Sequence, residues 1–234
     1  MTEIDLLYNQ LKKLQYPYSM QKIGGELMKG RAFFPGGKGT LDNSDMISNK
    51  RIMILGQDQD NEENYKKNIV RGGENVETGK TWQNIRLFLK SVGIDENDCF
   101  FTNAIMGVRK NGKNTGRSPA FADKEYIAQC RKFLLYQIET QKPKLILVLG
   151  LRVAEFLSDL FLDNILSETW SKIPNYKQID SQNLQVLKEV KLKNNIKTDI
   201  VLLVHPSYRI NAKHRTYGKL TGEKAEIAMI KKLM

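Results

Sequence analysis

Two short aliphatic runs that stop abruptly in polar residues constrain this chain more than any other feature of it. Ile52-Met53-Ile54-Leu55 leads straight into Gly56-Gln57-Asp58-Gln59-Asp60, and Ile200-Val201-Leu202-Leu203-Val204 leads into His205-Pro206-Ser207. Continuous apolar runs of this length, with no polar alternation, mark parallel strands buried on both faces. In an open α/β sheet the carboxyl ends of such strands carry the active groups. A carboxylate and an imidazole would then face each other at one sheet edge. That pair suits hydrolysis of a bond whose leaving group departs as an anion, since one group holds water and the other stabilises the departing charge.

The rest of the chain supports the same architecture. Residues 4–14 read as a short helix, and 16–49, rich in Gly and aromatics around Phe33-Phe34-Pro35-Gly36-Gly37, as a loop wrapping beside the sheet. After the first strand (51–56), a polar, acidic stretch from Glu62 to Glu77 is expected to border the site as a loop. Trp82, Ile85, Phe88, Leu89 and Val92 recur at helical spacing, with Thr81 placed to cap and Gly93 to terminate. Strands are expected at 99–104, 145–149 and 199–204, with helices over 126–138, after Gly150 and over 223–233. Residues 160–197 show no clear pattern. Four strands alternating with helices predict an α/β three-layer sandwich around a mostly parallel four-stranded sheet, in one domain spanning 1–234 with 1–50 as helix and wrapping loop.

Length permits one ordinary core, and a formal net charge of +11 favours polyanionic partners, although a solvated lysine-rich surface has the same composition. Cys99 and Cys130 lie in apolar segments, too few for a disulfide framework or a four-cysteine metal site. The start, Met1-Thr2-Glu3-Ile4-Asp5, has no basic leader and no segment has the length to cross a bilayer. These features predict a cytoplasmic or nucleoid-associated monomer, with no membrane contact and no metal or organic cofactor. The run from Gly73 to Thr81 imitates a phosphate-binding loop, but Glu74 stands where glycine is required and no strand precedes it.

Individually, Asp58 and Asp60 read as turn formers and His205 as a buried structural histidine. Together with other landmarks they resemble the uracil-DNA glycosylase superfamily. Gly56-Gln57-Asp58 resembles its first motif and His205-Pro206-Ser207 its second, while Phe100-Phe101-Thr102-Asn103 is similar to the strand whose asparagine reads the base edge. Thr81-Trp82-Gln83-Asn84-Ile85 resembles the superfamily's Ser/Thr-x-x-Asn-aliphatic helix start, and 145–150 its aliphatic strand ending in glycine.

The resemblance implies cleavage of an N-glycosidic bond in DNA, with the target nucleotide flipped out of the stack. It assigns Asp58 to hold water and favour the cationic sugar, and His205 to stabilise the departing anion. Asn103 would pair with the base edge, Gln57 would line the same pocket, and Thr81 and Ser207 would hold phosphates. Gln59 and Asp60 stand where the best-known branch has proline and a tyrosine that excludes thymine. Asp60 is therefore a base-pocket residue without that steric gate, and uracil or another damaged base is the expected substrate. Trp82 and Tyr65 are candidates for stacking on the base. Arg209 either enters the duplex or grips phosphate, with Tyr208 the second candidate wedge. The basic runs from Lys213 to Arg215 and from Arg109 to Lys113 read by default as solvated loops; if they border the same cleft, Lys213, Arg215 and the Arg109–Lys113 run are expected to contact phosphate. A DNA-binding relative without turnover is the non-enzymatic alternative.

Overall fold

The computed structural model describes residues 2–23, 31–41, 50–110 and 112–234. Five strands form the main sheet: β1 (Ile52–Gly56), β2 (Cys99–Asn103), β3 (Leu145–Leu149), β4 (Val186–Lys191) and β5 (Lys197–Leu203), in the spatial order β2-β1-β3-β5-β4. β1, β2, β3 and β5 run parallel, and β4 is antiparallel to β5. The parallel register sets Gly56 beside Asn103, and Leu149 beside Leu203 one strand further on. All four parallel strands therefore end at the same edge.

Successive strand side chains point to opposite faces, and the sheet divides its apolar residues accordingly. Met53, Leu55, Ile146, Val148, Ile200 and Leu202 join one core with helices α1 (Glu3–Leu11), α4 (Lys124–Gln141) and α5 (Leu151–Ser158). Ile54, Leu147 and Val201 join a second core with α3 (Lys80–Val92) and α8 (Glu223–Lys231). This is the expected helix–sheet–helix layering.

The fifth strand was not foreseen, because its burial pattern departs from simple alternation. Leu187 and Val190 are buried three residues apart, across a register shift that contains Glu189 at φ 48°. A bulge of this kind hides the period of two on which strand recognition depends. The stretch after β1 is likewise not a loop. It holds α2 (Glu62–Val70), whose only buried residue is Tyr65, so its sequence carries no apolar stripe. Two further short helices, α6 (Asn164–Ser171) and α7 (Tyr176–Ser181), lie in the region without pattern.

Several helix termini follow local chemistry. α1 ends at Leu11 rather than 14, and Gly93 closes α3 at φ 79°. Thr81 does not cap α3, since the helix already starts at Lys80 behind Gly79, which offers no side chain. Of the wrapping segment, residues 24–30 and 42–49 lie outside the described residues. Its 31–41 portion covers the edge of β2, with Phe34 N–H donating to Phe101 O at 2.9 Å and Phe101 N–H to Gly39 O at 2.7 Å. An otherwise open sheet edge is thereby paired.

Candidate active site

The common strand edge opens into a cleft of about 740 Å³. Gln57, Asp58 and Asp60 line it from the end of β1, Asn103 from β2, and His205, Ser207 and Tyr208 from the segment after β5. Thr81 and Trp82 reach it from the first turn of α3. These nine residues singled out in the sequence therefore share one cavity.

Asn103 owes its position to Gly56. A methyl group on Gly56 would lie 2.4 Å from Asn103 Oδ1 and 3.3 Å from Phe33 Cε1, so only glycine lets the asparagine amide and the Phe33 ring approach the strand end together. Asn103 is 4 % exposed, and its amide has no hydrogen-bond partner among the described residues. An amide without a protein partner at the wall of an open cleft is satisfied by solvent or by a ligand. It offers one acceptor and a two-hydrogen donor to whatever enters. Gln57 adds to this wall: its Nε2 donates to Gly116 O at 2.9 Å, while its buried Oε1 is also without a partner among the described residues.

His205 is the N-cap of a 3-10 segment, Pro206–His214. Ser207 N–H donates to its Nδ1 at 3.2 Å, and Ser207 Oγ lies 2.7 Å from the same nitrogen. A ring nitrogen that accepts from a backbone N–H carries no proton, so the neutral ring has its hydrogen on Nε2. Burial lowers the imidazole from 6.5 to about 4, which keeps it neutral at physiological pH. The result is a neutral N–H donor at the cleft.

Asp58 is placed differently from the sequence expectation of a carboxylate free to hold water. Arg109 Nε donates to its Oδ2 at 2.7 Å and Nη2 to its Oδ1 at 3.1 Å, and the two side chains are only 3 % and 4 % exposed. The remaining Arg109 donors reach Lys113 O and Thr115 O at 2.9 Å and Gly116 O at 3.2 Å, so all five N–H groups are engaged. Arg109 is thus a buried brace between Asp58 and the loop opposite, and not a phosphate contact.

Asp60 sits at φ 70°, a left-handed conformation rare outside glycine, asparagine and aspartate. Its carboxylate accepts from Asn61 N–H at 2.7 Å and Asn64 Nδ2 at 2.8 Å, and burial raises its pKa. Glu74, a third acid at the cleft, accepts from Trp82 Nε1 at 2.5 Å, and burial lifts it to about 7.

The aromatic wall belongs to Phe33, which sequence reasoning had placed only in the wrapping loop. Its ring stands 5.0 Å from Trp82 and 5.6 Å from Phe101, and its carbonyl accepts from Gln59 Nε2 at 3.1 Å. Trp82 is packed behind it, edge-on to Phe101, and Tyr65 is buried with Ile23 and Val108 away from the cleft. A glycine at the motif's start was the only sequence signal that something bulky approaches there.

Three residues expected at DNA lie elsewhere. Arg215 is fully buried against Asp180 and Glu226, Arg209 turns inward to Glu226 and over the Phe88 ring, and Lys213 is exposed but outside the cleft. In their place Lys67, Arg71, Lys80, Arg117 and Arg152 line the rim. The acids of α2 are matched by its own lysines, Glu62 with Lys66 and Glu63 with Lys67, so the helix presents no bare negative face to the cleft.

A doubly flanked, mostly parallel sheet with a polar cleft at its carboxyl edge, lined by acid, amide and imidazole from three strand ends, defines the class as a three-layer α/β protein. The family model of the uracil DNA glycosylase superfamily matches residues 45–232, and the chain belongs to that superfamily. No curated protein matches the chain. No helix among the described residues is long and apolar enough to cross a membrane.

Proposed function

We propose that the protein is a DNA glycosylase that hydrolyses the bond between a damaged base, with uracil foremost, and its deoxyribose. The observation that carries this is the joint exposure to one cleft of an unpaired Asn103 amide and a neutral His205 whose Nε2 bears the proton. The flipped base stacks on Phe33 and pairs with Asn103. As the glycosidic bond breaks, its electron pair moves onto the base, and His205 Nε2–H donates to the base oxygen where the negative charge collects. Water adds to the sugar carbon, and the proton it loses neutralises the base anion, leaving an abasic sugar and the free neutral base. The Asp58 and Asp60 carboxylates, which line the same cleft, favour the positive sugar.

At the rim, Lys67, Arg71 and Lys80 meet phosphates, while Tyr208 and the 75 % exposed Ile210 fill the vacated stack. Asp60, standing where a tyrosine would exclude thymine, favours a second reading in which another deaminated base is taken. The test is incubation with oligonucleotides carrying uracil, hypoxanthine, xanthine or a thymine mismatch, followed by alkaline cleavage of abasic sites. Scission at uracil alone supports the first reading and scission at another base the second. Tight, salt-sensitive binding without any scission would mean a DNA-binding relative, as the Arg109 brace on Asp58 would suit.

A further inference from the structure

Glu226, on α8, is wholly buried and is held by three donors from one stretch of chain. Val204 N–H donates to its Oε1 at 2.7 Å, Arg215 Nη1 donates to the same oxygen at 2.9 Å, and Arg209 Nη1 donates to Oε2. Val204 is the residue before His205 and lies one position beyond the end of β5, where the sheet ladder no longer supplies an acceptor. Arg209 lies inside the 3-10 segment that His205 opens, and Arg215 follows its end. A single carboxylate therefore grips the chain before, within and after the segment that carries His205, Ser207 and Tyr208.

Asp180 completes the arrangement. Arg215 Nε donates to its Oδ2 at 3.0 Å and Nη2 to its Oδ1 at 2.9 Å, while Thr216 N–H donates to Oδ2 at 2.8 Å. Arg215 Nη1 also donates to Leu202 O at 2.8 Å, inside β5. Arg209 and Arg215 are thus paired with the buried Glu226 and Asp180, and Glu223 lies 3.7 Å from Arg209 Nη2 at the outer end of the cluster. Such a cluster yields little net stability over well-packed apolar residues, because desolvation consumes the Coulombic gain, so its specific product is geometry. The segment it holds has need of that: 3-10 hydrogen bonds are weaker than α-helical ones, and this segment is kinked at Tyr208, with φ −118° and ψ 32°.

We infer that Glu226 is a positioning residue for His205, clamping the strand end and the following segment so that the imidazole keeps its place in the cleft. The inference rests on the proposed function for its kinetic consequence, but not for its structural one. Glu226→Gln keeps an acceptor for Val204 N–H and removes the charge that binds both arginines.

The experiment uses the full-length protein and reads two quantities. The first is the His205 imidazole titration by NMR, simple to assign because the chain has only two histidines and His214→Gln identifies the other. The second is single-turnover base release with separately measured DNA affinity. In Glu226→Gln the His205 midpoint is expected to rise from about 4 toward the ordinary 6.5 as the ring loosens into water. Base release is expected to slow roughly 10-fold or more at nearly constant DNA affinity. An unchanged midpoint together with a rate within about twofold of wild type would overturn the inference. If Glu226→Gln does not fold, Arg209→Gln removes one arm of the clamp while leaving the buried Arg215 pair, and the same criteria apply to it. If the wild-type protein releases no base, the proposed function fails while the imidazole titration still decides the inference.

Discussion

Arg109 and Asp58, 51 residues apart in sequence, form a two-bonded ion pair at the floor of the cleft, and Arg109 spends its other donors on three carbonyls of the 113–116 loop. The Asp58 carboxylate is therefore fixed in place by a neighbour with no freedom to leave it. Removing either partner has different consequences.

Arg109→Met leaves a buried carboxylate without its counter-charge and the Lys113 and Thr115 carbonyls without donors, while Gly116 O keeps Gln57 Nε2, and is expected to lower stability by about 3–5 kcal/mol. Urea denaturation measures it. Asp58→Asn keeps one acceptor for the guanidinium and should cost less stability. It is expected to slow base release by about 100-fold or more at nearly unchanged DNA affinity, because it removes charge from the chemistry and none that faces phosphate. A wild-type rate in Asp58→Asn, with loss of rate in Asp60→Asn, would transfer the role to Asp60.

The pH dependence of folding separates two buried groups of opposite sign. His205 titrates at about 4 when folded and at about 6.5 when unfolded, so between those values the unfolded chain binds more protons and stability falls as pH drops through the window. Glu74, lifted to about 7 from 4.5, contributes stability that is complete below 4.5 and is lost as pH rises through 7. Unfolding free energy measured from pH 4 to 8 should lose the first slope in His205→Gln and the second in Glu74→Gln. The same depressed imidazole places the acid limb of base release near pH 4, well below the usual histidine range.

Phe33 is the platform beside Asn103, so Phe33→Leu is expected to preserve the fold while weakening binding of an oligonucleotide with an extrahelical base by about 1–3 kcal/mol. Trp82→Phe, which keeps an aromatic ring against Phe33 but removes the indole N–H that donates to Glu74, should change this binding little. Equal effects of the two substitutions in a titration would place the base elsewhere.

Affinity for duplex DNA should fall steeply with salt. Arg71→Gln and Lys80→Gln are each expected to lower the slope of log K against log salt by about one, because each removes one phosphate contact and its released counterion. Lys213→Gln, outside the cleft, should leave the slope unchanged.

Much of this was written locally. The aliphatic runs at β1, β3 and β5 declare themselves because a strand buried on both faces must be apolar throughout, and each ends where its chemistry begins, at Gly56, Gly150 and His205. Asn103 and His205 were legible for the same reason, since the parallel register carries any strand-end residue to the shared edge. β4 and α2 were not, one having lost its alternation to a bulge and the other having almost nothing to bury.

The assignment of charged and aromatic side chains belongs to tertiary structure alone. Arg109, Arg209 and Arg215 read identically in sequence as surface cations, yet Asp58, Glu226 and Asp180 draw all three inward from distant elements. Phe33 reaches the cleft from a segment 23 residues before Gly56, and what admits it is the absence of a side chain there. Periodicity reports which face of an element is buried, because that is decided within a few residues. Which partner a buried charge or ring finds is decided by chain crossings far apart in sequence, and no local pattern records them.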